Sequence, residues 1–163
     1  MLQFALLRNP KRVIGIDTND ALCEIAKKLG AAEVLNPMKE DVTKRIMELT
    51  AGVGCDIYLE ATGNPATVEK GMNCLRKQGM LFIYSVFKKK AEIDLNQISE
   101  FKELRVIGGH LSPGAFPYTI DCLEKGKINA KVMVTDIFGL NEIDEDMSAK
   151  KPDRVSIKTV LVP

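Results

Sequence analysis

Two kinds of segment alternate along the chain from residue 12 to residue 109, and this alternation constrains the fold most strongly. Short runs rich in apolar and β-branched residues predict strands at 12–17, 32–35, 55–60, 80–87, 92–94 and 105–109. Segments with apolar residues at helical spacing predict helices at 19–30, 39–52, 65–79 and 96–102. Strict alternation of this kind is typical of an α/β protein whose parallel sheet carries helices on both faces.

The character of the sequence changes after residue 111. A helix is predicted at 117–128, a strand and turn at 132–140, a charged helical stretch at 141–153 and a final strand at 156–163. The charged stretch includes Asp146, a charge that would weaken packing if this position faces inward. The chain is therefore expected to have two parts, residues 1–111 and residues 112–163.

Charge and length exclude several classes of function. The 163 residues suffice for a domain with a sizeable core, and a net charge of +1 gives no footprint for nucleic acid. The basic run Lys88–Lys90 is predicted to be a solvated loop rather than a phosphate site. No segment approaches the length of a membrane span, and the apolar-then-basic order of residues 1–12 is the reverse of a secretion signal.

The cysteines argue against both disulfides and a metal centre. Cys23, Cys55, Cys74 and Cys122 lie far apart, and His110 is the single histidine. A zinc site usually includes one closely spaced pair of ligands, and no such pair occurs. Free thiols in a reducing cytoplasm are therefore expected, with no metal ligands.

Asp17 ends the first predicted strand and allows two interpretations. Ligands of doubly wound sheets bind beyond the carboxyl ends of the strands, where a carboxylate can accept both hydroxyls of an adenosine ribose. It would repel a 2′-phosphate, so this interpretation favours NAD over NADP. Alternatively, Asp17 only caps the following helix.

A glycine-rich phosphate turn should lie about 20 residues before such an acid, a position before Met1. The sequence is thus expected to begin just after that turn, with residues 1–12 forming the next helix and Leu2, Ala5 and Leu6 inward. The sheet would then be an incomplete Rossmann-like one. Its first strand, central in the order 3-2-1-4-5-6, would be missing, leaving two strand edges open.

Four longer motifs carry a resemblance to a known family: RVIGIDTNDALCEIAKKLGAAEVLNP, GCDIYLEATGNPATVEKGMNCLRKQGMLFIYSVF, ELRVIGGHL and SIKTVLVP. In this order and spacing they resemble the second half of zinc-type medium-chain alcohol and polyol dehydrogenases, such as the sorbitol, threonine and erythritol/threitol enzymes. The resemblance implies that residues 1–111 are part of an NAD-binding domain. Residues 112–163 would be the C-terminal part of the catalytic domain. The family's zinc ligands and proton-relay residues would lie upstream of the glycine-rich turn, outside this sequence.

The resemblance therefore implies cofactor contacts and neither catalytic nor metal-binding residues. The implied contacts are Asp17 at the adenosine ribose, Ala61 and Thr62 along the adenosine side, Ser85 and Val86 beside the nicotinamide ribose, Gly109, His110 and Leu111 at the carboxamide, and Lys158 near the pyrophosphate. Structural interpretations stay open for the Ala61–Gly63 turn, His110 and Lys158, and Glu60 is expected to be structural.

The implied whole enzyme is an oxidoreductase that transfers hydride between a small secondary alcohol or polyol and NAD. It would act in the cytoplasm, with neither nucleic acid nor membrane as partner, and a homo-oligomer is plausible. The chain alone is expected to be inactive. Two alternatives stay open: a non-enzymatic nucleotide-binding or relic module, and a methyltransferase that uses S-adenosylmethionine.

Overall fold

The computed structural model describes residues 1–111, 114–142 and 155–163, which form α/β structure with parallel strands. Its α-helices are α1 (Leu2–Leu6), α2 (Asp20–Lys28), α3 (Val42–Leu49), α4 (Pro65–Cys74) and α5 (Ala115–Glu124). A π-helix spans Gln97–Phe101 and a 3-10 helix spans Leu140–Glu142. The strands are β1 (Ile14–Ile16), β2 (Glu33–Leu35), β3 (Cys55–Glu60), β4 (Leu75–Ile83), β5 (Arg105–Gly108), β6 (Val134–Gly139) and β7 (Lys158–Val162).

The chain divides into two compact units. The first contains residues 1–38 and 113–163, and the second contains residues 39–112. The strands form three parallel sheets, ordered β1-β2, β3-β4-β5 and β6-β7. The predicted α/β class is confirmed. In the predicted order 3-2-1-4-5-6, strands 3 and 2 lie on one side of the missing strand 1, and strands 4, 5 and 6 lie on the other. These two groups correspond to the sheets β1-β2 and β3-β4-β5.

In the first unit, the chain passes from β1 into α2 through a short polar turn. Asn19 is the N-cap of α2, and its side-chain oxygen accepts hydrogen bonds from the amides of Ala21 (2.8 Å) and Leu22 (3.3 Å). Such a cap satisfies amides that have no partner within the helix. The apolar face of α2 and the end of β2 then bury Cys23 and Leu35.

In the second unit, α4 covers one face of the sheet β3-β4-β5. The buried residues of this core come from the helix, from β4 and from the approach to β5: Val68, Met72, Leu75, Leu81 and Leu104. The register is in line across the sheet, with Leu59 of β3 opposite Phe82 of β4, and Phe82 opposite Ile107 of β5. The carboxyl ends of the three strands therefore lie at one edge of this sheet.

Two local predictions were wrong. Leu75, expected on the inner face of a helix, is the first residue of β4, because it pairs with Cys55 and is fully buried there. The strand predicted at 92–94 does not form. Asp94 instead accepts a hydrogen bond from the Asn96 amide through its side chain (2.9 Å), and its carbonyl accepts one from Gln97 (3.1 Å). These local bonds turn the chain into the π-helix.

The second half of the sequence folds in part as predicted. The helix α5 and the strands β6 and β7 form where they were predicted, with shifted ends. Most of the charged stretch 141–153, including Asp146, lies outside the described residues. Among the helices that the structure describes, none is both long enough and apolar enough to cross a membrane.

Candidate functional site

The loop that follows β3 is folded around one buried carboxylate. Glu60, the last residue of β3, is 1% exposed. Its Oε1 accepts hydrogen bonds from the amide of Thr62 (2.8 Å), the amide of Gly63 (3.1 Å) and the hydroxyl of Thr62 (2.6 Å). The hydroxyl of Thr67, on the first turn of α4, donates to the same oxygen (2.8 Å). The turn between β3 and α4 is therefore fixed by the side chain that precedes it.

The same carboxylate also holds the loop after β4. The Ser85 hydroxyl donates to Glu60 Oε2, and the Tyr84 amide donates to the Glu60 carbonyl oxygen (2.9 Å). In the register of the sheet, Glu60 lies opposite Ile83, the last residue of β4. Both loops therefore leave the sheet at the same level, and Glu60 joins them.

A close backbone approach brings these two loops together at a second point. Gly63 has φ of +69°, and a Cβ atom built on it would lie 2.6 Å from the carbonyl oxygen of Val86. Only glycine fits this combination of a left-handed conformation and a neighbouring backbone. The loops thus pack against each other through main-chain atoms and leave Val86 88% exposed above them.

The Glu60 carboxylate is ionised at neutral pH despite its burial. Desolvation alone would raise its pKa, because burial penalises the charged form. The hydrogen bonds from Ser85, Thr62 and Thr67 together outweigh that effect and lower the pKa below its ordinary value. A fully bonded carboxylate of this kind is an anchor for the surrounding loops and is not poised to transfer protons.

The third loop at this edge follows β5. The Gly109 amide donates to the carbonyl oxygen of Ile83 (2.9 Å), so the loop begins beside the end of β4. His110 is exposed, and Leu111 is 74% exposed with φ of +52°, a conformation that non-glycine residues rarely adopt. The loops that contain Thr62, Ser85 and His110 therefore leave adjacent strands of one sheet at one edge.

Asp17 follows β1 directly in the first unit. Its amide donates to the Leu35 carbonyl oxygen (3.2 Å), which continues the pairing with β2. Its Oδ1 accepts the Asn19 amide (2.9 Å), which turns the carboxylate back toward the start of α2. The helix cap itself is Asn19, so the alternative that Asp17 is the N-cap of α2 is wrong.

Lys158 also belongs to the first unit, where it is the exposed first residue of β7 and pairs with Val134 of β6. It thus lies at the amino end of a strand, unlike the loops described above, which follow carboxyl ends. Its expected position near a pyrophosphate stays a prediction, as do the contacts expected of the other eight residues.

A metal site is not present among the residues that the structure describes. No group of three histidine, cysteine, aspartate or glutamate side chains there is arranged to hold a metal ion. The described cysteines carry no disulfide, and burial raises the pKa of Cys55 to about 12. These residues therefore do not fit a zinc centre.

Comparison with known proteins identifies the family. The model of a family described as zinc-binding dehydrogenase matches residues 1–125. The chain belongs to this family. Its resemblance to zinc-type alcohol and polyol dehydrogenases is thereby confirmed.

Individual members of the zinc-binding dehydrogenase family match over almost the whole chain. An erythritol/L-threitol dehydrogenase of Mycolicibacterium smegmatis is 35% identical over 163 residues, which are 100% of this chain and 45% of that protein. The structure of a 2R,3R-butanediol dehydrogenase from Bacillus subtilis is 26% identical, with a TM-score of 0.90 over 99% of this chain and 46% of its own.

A second solved structure of the family contains a dinucleotide. It is a protein of Sinorhizobium meliloti described as a zinc-binding dehydrogenase bound to NADP, 25% identical with a TM-score of 0.90, covering 99% of this chain and 48% of its own. The chain thus spans about half the length of the relatives that it matches, and the Rossmann-like fold expected of it is the one these dehydrogenases have.

Two residues that support the loops were not predicted as site residues. The sequence predicts only a structural role for Glu60 and none for Asn36. Asn36 follows β2, is 7% exposed, and donates to the Thr18 carbonyl oxygen in the turn after Asp17 (3.1 Å). Glu60 is a polar residue at the end of a strand, and Asn36 is a polar residue directly after one. Such a position in the sequence could have indicated that these side chains support the loops.

Proposed function

We propose that this chain provides the NAD-binding part of an NAD-dependent alcohol or polyol dehydrogenase. Residues 1–111 belong to the nucleotide-binding domain and residues 112–163 to the C-terminal part of the catalytic domain. In the whole enzyme, a secondary alcohol or polyol loses a hydride from its carbinol carbon and a proton from its hydroxyl, and NAD is the hydride acceptor. The enzyme acts in the cytoplasm, and a homo-oligomer is compatible with its family.

The observation that carries this proposal is the position of Asp17. A half-buried carboxylate directly after β1, oriented by the Asn19 amide, suits the two hydroxyls of an adenosine ribose. Its negative charge opposes a 2′-phosphate, so it selects NAD over NADP. The relative from Sinorhizobium meliloti binds NADP, so the family alone does not decide between the two cofactors, and the acid is what favours NAD here.

The remaining contacts are assigned around the same cofactor. Ala61 and Thr62 lie along the adenosine side, and Ser85 and Val86 lie beside the nicotinamide ribose. Gly109, His110 and Leu111 offer backbone groups to the carboxamide, and Lys158 approaches the pyrophosphate. Small residues and exposed backbone at the strand ends support this assignment, because they let main-chain atoms approach a ligand closely.

Calorimetric titration of the chain with NAD and with NADP tests the proposal. The unchanged chain should bind NAD more tightly than NADP. Asp17→Ala should weaken NAD binding roughly tenfold. It should also raise the affinity for NADP relative to that for NAD, because the charge that repels the 2′-phosphate is gone. Glu24→Gln is the matched control, because it removes an exposed carboxylate from α2 in the same unit and should leave both affinities unchanged.

Two results would contradict the proposal. The first is an unchanged chain that shows no heat of binding with either dinucleotide at millimolar concentration. The second is equal affinity for NAD and NADP that Asp17→Ala does not alter. A loss of NAD affinity in Glu24→Gln of the same size as in Asp17→Ala would show that the measured effect is general surface charge.

A further inference from the structure

The Glu60 side chain is hydrogen-bonded to two loops that follow adjacent strands. One of its oxygens accepts bonds from the loop after β3, and the other accepts the Ser85 hydroxyl from the loop after β4. Under the proposed function, the first loop contacts the adenosine side of the cofactor and the second contacts the nicotinamide ribose. A single side chain is therefore bonded both to the loop proposed to contact the adenosine half of the dinucleotide and to the loop proposed to contact the nicotinamide half.

We propose that Glu60 is a positioning residue that sets the spacing between these two cofactor-binding loops. The inference rests on the proposed function, since the spacing matters to a ligand only when the dinucleotide binds. It goes beyond that function because Glu60 is 1% exposed and would act through the two loops to which it is bonded.

The number and kind of contacts favour positioning over simple filling of space. The carboxylate accepts five hydrogen bonds, two from backbone amides and three from hydroxyl groups. Bonds to an ionised acceptor are shorter and stronger than neutral ones, so they fix the orientation of their donors. The lowered pKa of Glu60 agrees with this geometry, because it keeps the carboxylate charged.

The close contact between Gly63 and Val86 supports the same inference independently. A Cβ atom on Gly63 would lie 2.6 Å from the Val86 carbonyl oxygen, so the main chains of the two loops are already close together there. Glu60 opposes their separation, because its two oxygens are bonded to both loops. The two contacts together favour one spacing, which is what a ligand that spans the loops requires.

Two probes of different length separate positioning from stability. NAD spans both loops, whereas ADP reaches only the adenosine side. Glu60→Ala should therefore weaken NAD binding roughly tenfold more than ADP binding. Ser85→Ala should also weaken NAD binding more than ADP binding, because it breaks the bond to Glu60 and removes a proposed contact beside the nicotinamide ribose, so Glu60→Ala is the deciding variant.

Val68→Ala is the matched control, because it damages the core beneath α4, where Val68 is 3% exposed, without touching the loops. It should lower stability and leave the ratio of NAD to ADP affinity unchanged. If Glu60→Ala does not fold, Glu60→Gln decides, because the amide keeps the volume and one acceptor. It should lower the same ratio by a smaller factor, about threefold.

Hydrogen exchange provides a readout that needs no ligand. In Glu60→Ala the amides of Thr62 and Gly63 should exchange faster, since their acceptor is the lost carboxylate. The Tyr84 amide bonds to the Glu60 main-chain carbonyl and should keep its protection. Equal loss of protection at all three amides would indicate a purely structural role and overturn the inference.

The two proposals fail in different ways. An unchanged chain that binds neither NAD nor ADP contradicts the proposed function and, with it, the role of Glu60 toward the cofactor. An unchanged chain that binds NAD while Glu60→Ala and Glu60→Gln keep its NAD-to-ADP ratio contradicts only the positioning role. A ratio that falls selectively, together with selective exchange at Thr62 and Gly63, supports it.

Discussion

The side-chain amide of Asn36 donates to the backbone carbonyl oxygen of Thr18 at 3.1 Å, and this bond ties the end of β2 to the turn after β1. The same amide nitrogen donates to Asp20 Oδ1 (2.8 Å), and Asn36 Oδ1 accepts the Met38 amide (2.9 Å). Asn36 thus uses both ends of its side chain within a buried position. It supports the segment that presents Asp17, much as Glu60 supports the loops of the second unit.

Asn36→Ala should lower the free energy of unfolding by about 2 kcal/mol, because it removes the three hydrogen bonds that the buried Asn36 side chain makes. Urea denaturation followed by circular dichroism measures the change. Asn96→Ala, at an exposed asparagine of the second unit, is the control and should change stability by less than about 0.5 kcal/mol. Equal effects of the two substitutions would show that the Asn36 bonds contribute nothing beyond those of a surface amide.

Gly63→Ala should destabilise the chain more than Gly52→Ala. Both glycines have positive φ, +69° and +81°, so alanine is strained at both positions by about 1 kcal/mol. At Gly52 no atom lies within 4 Å of the added Cβ, whereas at Gly63 the Val86 carbonyl oxygen lies 2.6 Å away. Forced separation of the loops should therefore add about 2 kcal/mol at Gly63. Chemical denaturation of the pair measures this difference, and equal losses would mean that the loops separate freely.

Lys102→Met tests a contact at the C-terminal end of α4. The Lys102 ammonium donates to the carbonyl oxygens of Met72 (2.9 Å), Asn73 (3.0 Å) and Leu75 (2.8 Å), where the helix ends and β4 begins. The Leu75 amide also donates to the Met72 carbonyl oxygen, and a cation beside the last carbonyls of a helix suits the helix dipole. The substitution should lower the free energy of unfolding by about 2 kcal/mol.

Thermal unfolding of Lys102→Met beside Lys70→Met measures that effect. Lys70 is exposed on α4, so its substitution removes an equal charge without touching the helix end. A melting temperature for Lys102→Met within 1 °C of that for Lys70→Met would contradict the role given to the three carbonyl contacts.

Much of the fold could be predicted because strand and helix periodicities are local properties of the sequence. The helix over 19–30 begins at Asn19 and its basic end is followed by Gly30, both recognisable signals, and the structure places α2 within that range. Leu75 shows where local reasoning stops. Its spacing from Met72 and Val68 fits a helix face, but pairing with Cys55, twenty residues earlier, makes it a strand residue.

The support of the candidate site could not be predicted for a similar reason. The donors to Glu60 come from Thr62, Gly63 and Thr67 nearby and from Ser85, twenty-five residues further along the chain. That last contact depends on the register that sets Glu60 opposite Ile83. Sequence spacing does not determine a register, so the carboxylate was expected to be structural without any indication of which loops it joins.

The pH dependence of stability should report the ionisation of Glu60. Its folded-state pKa is lowered below the ordinary value of 4.5, so the folded chain binds this proton less readily than the unfolded chain does. The stabilisation is therefore complete well above pH 4.5 and is lost as the pH falls through the folded-state pKa.

The stability advantage of the unchanged chain over Glu60→Gln should thus be constant near neutral pH and shrink progressively below about pH 4.5. Ser85→Ala removes one of the bonds that lower this pKa, so its folded-state pKa lies closer to that of the unfolded chain, and its loss of stability below about pH 4.5 should be smaller than that of the unchanged chain. Val68→Ala should lower the whole curve without changing its shape, and urea denaturation from pH 7 to pH 3 compares all four chains. An advantage over Glu60→Gln that stays constant down to pH 3 would mean that the carboxylate gains nothing from ionisation in the folded chain.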